Sequence, residues 1–283
     1  MANAIDVGTN ATVSIGTIHV PANVSGTGPD ATRGLQKIVL ALGLANNLVG
    51  YSPSSSAKSG FAVSFSVPYA MTAADIAAII NPAGVDVAMQ FGTAGGVSMA
   101  GCQWFDFSLT ATAGSGTLDC KVSYESNSMP VIGATVTAMD ADTDVYKGIE
   151  IVSCKGVSGT VYTDVDSFTM ALTRNLAKAG RNNSTGRPKH LKGTSVEARM
   201  TAKYLKDGDG EGTAWMGVTP DWCPAIGDMV VIMHQACATT PTTLTLTVAA
   251  CQLDTYPKTE GNTEDYIWET ITGVASHGAF SVA

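Results

Sequence analysis

The chain has 283 residues, of which 45% are hydrophobic and only 14% charged, and its formal net charge is −8. This length suits two domains of roughly 140 residues, each able to bury a core without disulfide or metal staples. The acidic balance excludes a general nucleic-acid-binding surface, which needs clustered Lys and Arg, and no apolar run approaches the ~18 residues of a membrane-spanning helix.

In chain order, Thr12 to Val20 reads as a strand. The run Asp30 to Leu48 is ambiguous, because Leu35, Ile38, Val39 and Leu42 have helical spacing while Ile38-Val39-Leu40 also suits a strand. A polar connection, Tyr51 to Ser59, leads into the cleanest alternation in the chain, Phe61 to Val67, which predicts a strand against a core. Thr72-Ala73-Ala74-Asp75 has the form of a capping box and predicts a helix through Ile80 that Asn81-Pro82 ends. Strands follow at Val85 to Phe91, Val97 to Gln103, Phe105 to Leu109, Thr117 to Ser123 and Ala134 to Ala138, with a linker expected within Ser126 to Gly159. Beyond it come a strand at Phe168 to Arg174 and a basic connection from Lys178 to His190. Val196 to Tyr204 alternates apolar residues with Glu197, Arg199, Thr201 and Lys203, so one face is dry and the other meets water or a channel. Met229 to Gln235, Leu244 to Val248 and Tyr266 to Thr272 complete the set.

Part of this order occurs twice. Val97-Ser98-Met99-Ala100-Gly101-Cys102-Gln103 returns as Leu246-Thr247-Val248-Ala249-Ala250-Cys251-Gln252, and Thr117 to Ser123 and Tyr266 to Thr272 follow at the same distance. Upstream, Val85 to Phe91 can be laid on Met229 to Gln235 if the second copy has a longer loop, and Gly60 with its strand on Gly193 with its strand. The repeat favours an extended Asp30 to Leu48, matching Phe168 to Leu176. Two copies are too few for a stacked solenoid, so each unit should close its own core.

Conventional catalytic signatures are lacking. The four histidines, His19, His190, His234 and His277, form no metal or triad pattern, and Gly96 to Ala100 resembles a nucleophile elbow but ends in Ala and continues as a strand. Asp207 to Glu211 has closely spaced oxygens without the distal glutamate of a Ca²⁺ loop and reads as a solvated turn. Cys102, Cys120, Cys154, Cys223, Cys237 and Cys251 show no zinc spacing and are expected as free, buried thiols. Met1 to Asp6 lacks the basic and apolar regions of a signal peptide, so the chain is expected in a reducing cytoplasm. No enzyme activity, cofactor or metal is expected. With so little charge, either much of the surface is Ser and Thr or much of it is buried against copies of the same chain, and the second is the expectation.

The strand from Ser167 to Asn175 ending in Arg-Asn, the long loop, the Gly-led amphipathic strand from Gly193 to Tyr204, and the closing strand from Glu264 to Thr272 resemble the major tail tube protein of long-tailed, siphovirus-like bacteriophages. The first half resembles that family only through the internal repeat, and its Ala41-Leu42-Gly43-Leu44 lacks the Arg-Asn ending. The resemblance implies a mainly β chain of two tandem tail-tube-like β-sandwich or barrel domains, 1–140 and 141–283, each with antiparallel sheets and at most a short helix. It implies a virion structural protein, assembled in the host cytoplasm, whose trimeric rings with pseudo-sixfold symmetry stack into the tail conduit. Its partners would be other copies of itself, the tape-measure, tail tip and tail terminator proteins, and double-stranded DNA in transient passage. Lys178, Arg181, Asn182, Arg187, Lys189 and His190 are then the inter-ring loop candidates, and Glu197, Arg199 and Lys203 the lumen-facing ones. The rival expectations are a secreted or surface β-sandwich adhesin and another tail component, such as a terminator or decoration protein.

Overall fold

A computed structural model describes residues 11–20, 25–32, 35–39, 48–53, 58–66, 72–91, 96–136, 148–180, 188–206, 211–216, 225–235, 242–261, 266–276 and 280–283. The protein is mainly β, with antiparallel pairing throughout the described residues. The first half contains β1 (Ala11–Ile15), β2 (Ile18–Val20), β3 (Ser25–Thr32), β4 (Leu35–Val39), β5 (Leu48–Pro53), β6 (Lys58–Ser66), α1 (Ala73–Ile79), β7 (Val85–Phe91), β8 (Gly96–Thr112), β9 (Leu118–Glu125) and β10 (Val131–Ala134). The second contains β11 (Ile149–Lys155), β12 (Val161–Tyr162), β13 (Val165–Ala179), β14 (His190–Leu205), α2 (Gly212–Met216), β15 (Gly227–Gln235), β16 (Thr243–Leu253), β17 (Lys258–Gly261), β18 (Ile267–Ser276) and β19 (Phe280–Val282).

The pairing pattern of the first half recurs in the second. β2 pairs β1, β1 pairs β7, and β7 pairs the beginning of β8, which also takes β10. In the second half, β12 pairs β11, β11 pairs β15, and β15 pairs β16, which also takes β19. A second layer runs β3, β6, β9 and the end of β8 in the first half, and β13, β14, β18 and β17 with the end of β16 in the second. Only the β4–β5 hairpin has no counterpart among the described residues. The two second layers are one sheet, because Ser167 to Thr173 of β13 pair with Thr112 to Asp106 of β8.

A matched pair of bulges turns β8 and β16 from one layer into the other. Gly101 has φ 60°, and its N–H donates to Asp86 Oδ1 at 2.8 Å. Ala250, at the same place in the repeat, has φ 53°, and its N–H donates to Asp228 Oδ1 at 3.0 Å. The next residue in each copy is a buried cysteine whose thiol donates to a backbone carbonyl, Cys102 to Met99 at 3.4 Å and Cys251 to Val248 at 3.1 Å. Glycine adopts this left-handed backbone freely, whereas alanine meets a Cβ clash there.

Several sequence expectations shift against the observed registers. The bulges align Val87 with Met229 and Met89 with Val231, two residues away from the alignment of Val85 on Met229. A slip of two keeps every side chain on its own face, so hydrophobic alternation cannot detect it. Gly60 pairs with Glu125 where Arg199 pairs with Val274, so Gly60 matches Arg199 and not Gly193. The counterpart of β13 is β3, while Leu35–Val39 is extended but belongs to the separate hairpin. Thr12 to Val20 is not one strand but a hairpin turning at Gly16-Thr17, and Val97 to Leu109 is a single strand rather than two. The strand expected at Ala134 to Ala138 lies earlier, ending at Ala134, and the expected linker region holds β10 and all of β11.

Apolar positions of both layers form one contiguous buried cluster through the two halves, rather than a separate core in each. The shared sheet is the reason, since β8 and β13 carry Phe107, Leu109, Phe168 and Met170 inward side by side. Each such side chain contributes about 1.5–3 kcal/mol when fully buried. Helix α1 caps the first half as its sequence predicts: Thr72 N–H donates to Asp75 Oδ2 at 2.8 Å, and Asp75 N–H to Thr72 Oγ1 at 3.3 Å. Ile76 and Ile79 are buried, and the Tyr124 hydroxyl donates to the Ile79 carbonyl at 2.7 Å, tying the helix to β9. The second half holds a buried polar cluster. Tyr162 and Tyr204 stack at 3.7 Å, Tyr204 donates to Glu269 at 2.6 Å, and buried Glu211 accepts from Ser158 and Tyr162. Glu211 is therefore not part of a solvated turn, while Asp207 to Gly210 lie outside the described residues.

Ala250→Gly is expected to raise the unfolding free energy by about 0.5–1 kcal/mol, and Gly101→Ala to lower it by about 1–2 kcal/mol. Denaturant titration checks both, and opposite signs at the two positions are the expected result.

Candidate functional site

Alternation along the long sheet puts its hydrophobic side chains on one face and hydroxyls and charges on the other. Thr110, Thr169, Thr201 and Thr272 stand in one row across β8, β13, β14 and β18. Their oxygens bond pairwise, Thr110 to Thr169 at 3.2 Å and Thr201 to Thr272 at 3.0 Å. Glu197, Arg199 and Lys203 lie on this same face of β14, as their alternation predicts. Arg199 pairs with Asp254 at 2.7 Å and Glu197 at 3.7 Å. Lys203 approaches Glu260 at 3.7 Å and Asp166 at 3.9 Å, and lies 5.7 Å from the Trp268 ring centroid. Such exposed pairs add little stability, but they surround each cation with carboxylates.

The β13–β14 hairpin carries the other candidates. Lys178 pairs with Glu125 of the first half at 2.6 Å, and Asn127 Nδ2 donates to the Lys189 carbonyl at 2.9 Å. Gly180 has φ 68° and packs beside Lys189, and His190 is exposed at the start of β14. Arg181, Asn182 and Arg187 lie outside the described residues. Met129, Val131 and Ile132 are exposed large apolar side chains in the segment that follows Asn127. At the opposite end of the sheet, Tyr266 and Ile267 are exposed near the acidic Asp164, Asp166 and Glu260.

Arg174 forms a lock between the halves that the sequence reading missed. It is only 6% exposed, and it donates to Gln103 Oε1 at 3.2 Å and to the Pro82 carbonyl at 3.0 Å. Its guanidinium lies 5.3 Å from the Trp104 ring centroid. Burial lowers its pKa from the ordinary arginine value, and hydrogen bonds and the aromatic face replace lost water. Gly193 sits where any Cβ would collide with this guanidinium, which explains the glycine that leads the amphipathic part of β14. The signal in the sequence was parity: Phe168, Met170 and Leu172 face inward, and Arg174 is the next inward position. Glu269 carries the same signal on β18, two positions from Ile271.

Other candidates show structural engagement. His234 Nε2 lies 3.0 Å from Glu150 Oε2 on paired strands, and Gly96 to Ala100 are strand residues. Cys102, Cys120, Cys154 and Cys251 are free and buried, while Cys223 and Cys237 lie outside the described residues. Burial pushes the Cys102 and Cys154 thiols up to about 12 and Cys251 to about 11, far from reactive thiolates. Among the described residues, no cluster of His, Cys, Asp and Glu is arranged to hold a metal ion, and no helix is long and apolar enough to cross a membrane.

Among the described residues, both ends of the long sheet are open: β3 pairs only with β6, and β17 only with β18. Comparison with protein-family models and with curated proteins gave no match.

Arg174→Ala is expected to cost about 3 kcal/mol, since it leaves buried acceptors unpaired. Gly193→Ala should cost about 1–3 kcal/mol by overpacking, and much less in the Arg174→Ala background. A double-mutant cycle by denaturant titration checks this; equal costs in both backgrounds would show that the glycine does not serve Arg174.

Proposed function

We propose that this chain is a virion structural protein, a tail tube subunit of two tandem domains, 1–140 and 141–283, that polymerises as stacked trimeric rings into a conduit for DNA. The observation that carries this reading is the β8–β13 junction, where two halves of the same connectivity already form one continuous sheet, open at both ends among the described residues. Open edges of this kind favour pairing with another chain. Repetition of the junction between copies closes a ring of three chains with pseudo-sixfold symmetry.

The face bearing Glu197, Arg199 and Lys203 then lines the lumen. Its hydroxyl row and the carboxylates beside Arg199 and Lys203 suit the passage of DNA without adhesion, because these cations already face carboxylates rather than standing free for phosphate. Rings stack through the basic hairpin tip, with Lys178, Arg181, Asn182, Arg187, Lys189 and His190, against the acidic opposite end of the neighbouring ring. Exposed apolar side chains near both ends support an axial contact. The tape-measure, tail tip and terminator proteins are the remaining partners in this reading, and the protein acts in the virion tail without catalysis or cofactor.

Electron microscopy of the purified full chain over a concentration series, with mass determination of the smallest species, tests the proposal. Hollow tubes or threefold rings are expected, whereas a dispersed monomer at every concentration would count against it. Deletion of Asn182 to Lys189 is expected to leave folded subunits and prevent tube growth; tubes of normal length from that variant would remove the inter-ring role of the loop.

A further inference from the structure

Beyond Arg174 the β13–β14 hairpin leaves the long sheet. β13 pairs with β8 only as far as Thr173, and β14 pairs with β18 only from Glu197 onward. Outside those limits Leu176 to Ala179 pair with Gly193 to His190, past a register shift between Arg174 and Leu176. Among the described residues this ribbon has no third strand, and Ala177, Lys178, Ala179, His190 and Lys192 are exposed. Two strands without a buried face of their own are marginally stable in water. The ribbon therefore depends on contacts from outside it.

Those contacts lie on the first half. Arg174, bonded to Gln103 and to the Pro82 carbonyl, fixes the inner boundary. On the outgoing strand Lys178 Nζ lies 2.6 Å from Glu125 Oε1, with the glutamate side chain only 14% exposed and the lysine 39%. On the returning strand the Lys189 carbonyl accepts from Asn127 Nδ2 at 2.9 Å, and Pro188 beside it is buried. The turn that carries Asn127 is itself held in shape. The buried Ser126 hydroxyl donates to the Ala100 carbonyl at 2.7 Å and accepts from the Ser128 N–H at 2.9 Å. Each strand of the ribbon thus has one clip on the other half of the chain.

We propose that the outer β13–β14 ribbon is a strap with two states, fastened to the first half by the Lys178–Glu125 and Asn127–Lys189 contacts and free when they open, and that the ion pair makes its closure sensitive to ionic strength. The register shift between Arg174 and Leu176 is the hinge, because the arginine lock holds the strands on its inner side. Salt weakens the pair as the screening length falls from about 10 Å at 0.1 M to about 3 Å at 1 M. The neutral Asn127 bond is not screened, so salt loosens the strap without abolishing it. The device belongs to the single chain and does not rest on the ring reading. Its consequence is that the basic side chains of the ribbon are carried at a position set by the first half.

Hydrogen exchange read by mass spectrometry tests this on the full chain, at the lowest concentration of a dilution series and in about 0.05 M and about 1 M NaCl. At low salt, Glu125→Gln and Lys178→Gln are each expected to speed exchange about two- to fivefold in peptides covering 176–179 and 190–192. Peptides covering 167–173, in the long sheet, are expected to stay unchanged. High salt should move the unsubstituted chain toward these variants and leave the variants where they are, and the charge-reversed pair Glu125→Lys with Lys178→Glu should restore protection. Asn127→Ala is expected to speed the same peptides while keeping the salt response. Equal exchange in the ribbon of all these chains would overturn the strap. Faster exchange extending through 167–173 would overturn it too, since Glu125 would then serve the whole sheet. An unsubstituted chain indifferent to salt would overturn the ionic control. The conduit reading stands or falls separately, on assembly in the concentration series.

Discussion

The architecture depends on β8, a 17-residue strand shared by two layers. Its beginning pairs with β7 and its end with β9 and β13, and the left-handed backbone at Gly101 makes the transition between them. A strand that changes layers needs a local break in the ladder whose freed donor is satisfied, and Asp86 supplies the acceptor. Once the end of β8 is aimed into the long sheet, its second edge is free to take β13. The core consequently runs through both halves.

Arg174 adds orientation to that pairing. Backbone ladders tolerate slips of two residues without exposing apolar side chains. A guanidinium bonded to both Gln103 and the Pro82 carbonyl does not fit a slipped register. Its burial is compensated by geometry: two carbonyl-type acceptors, an aromatic face and a glycine that leaves room. The same chemistry explains why a charged residue occurs on the otherwise apolar face of β13.

Much of the fold was legible wherever one physical pattern acts alone. Alternation located Phe61 to Ser66, with Val67 outside the described residues, and Val196 to Tyr204, and the capping box located α1. It failed where two patterns agree equally with different registers. The two-residue offset between β7 and β15 and the mismatch of Gly60 with Gly193 share that cause, since glycine marks several unrelated needs: Gly193 leaves room for Arg174, while Gly60 pairs with Glu125 at a different register. Of the candidate site, the polar face of β14 was legible from alternation, whereas the lock was not. Arg174 touches residues distant in sequence, and only its parity betrays it.

The threonine row gives the long sheet a property that its ion pairs lack. Attraction or repulsion by charged side chains fades as salt is added, with a screening length of about 10 Å at 0.1 M. The hydroxyls of Thr110, Thr169, Thr201 and Thr272 are neutral and can exchange hydrogen bonds with water. A surface built on such a stripe keeps its wetting nearly constant from dilute buffer to concentrated electrolyte, whereas the ion pairs of Arg199 and Lys203 beside it weaken as salt rises.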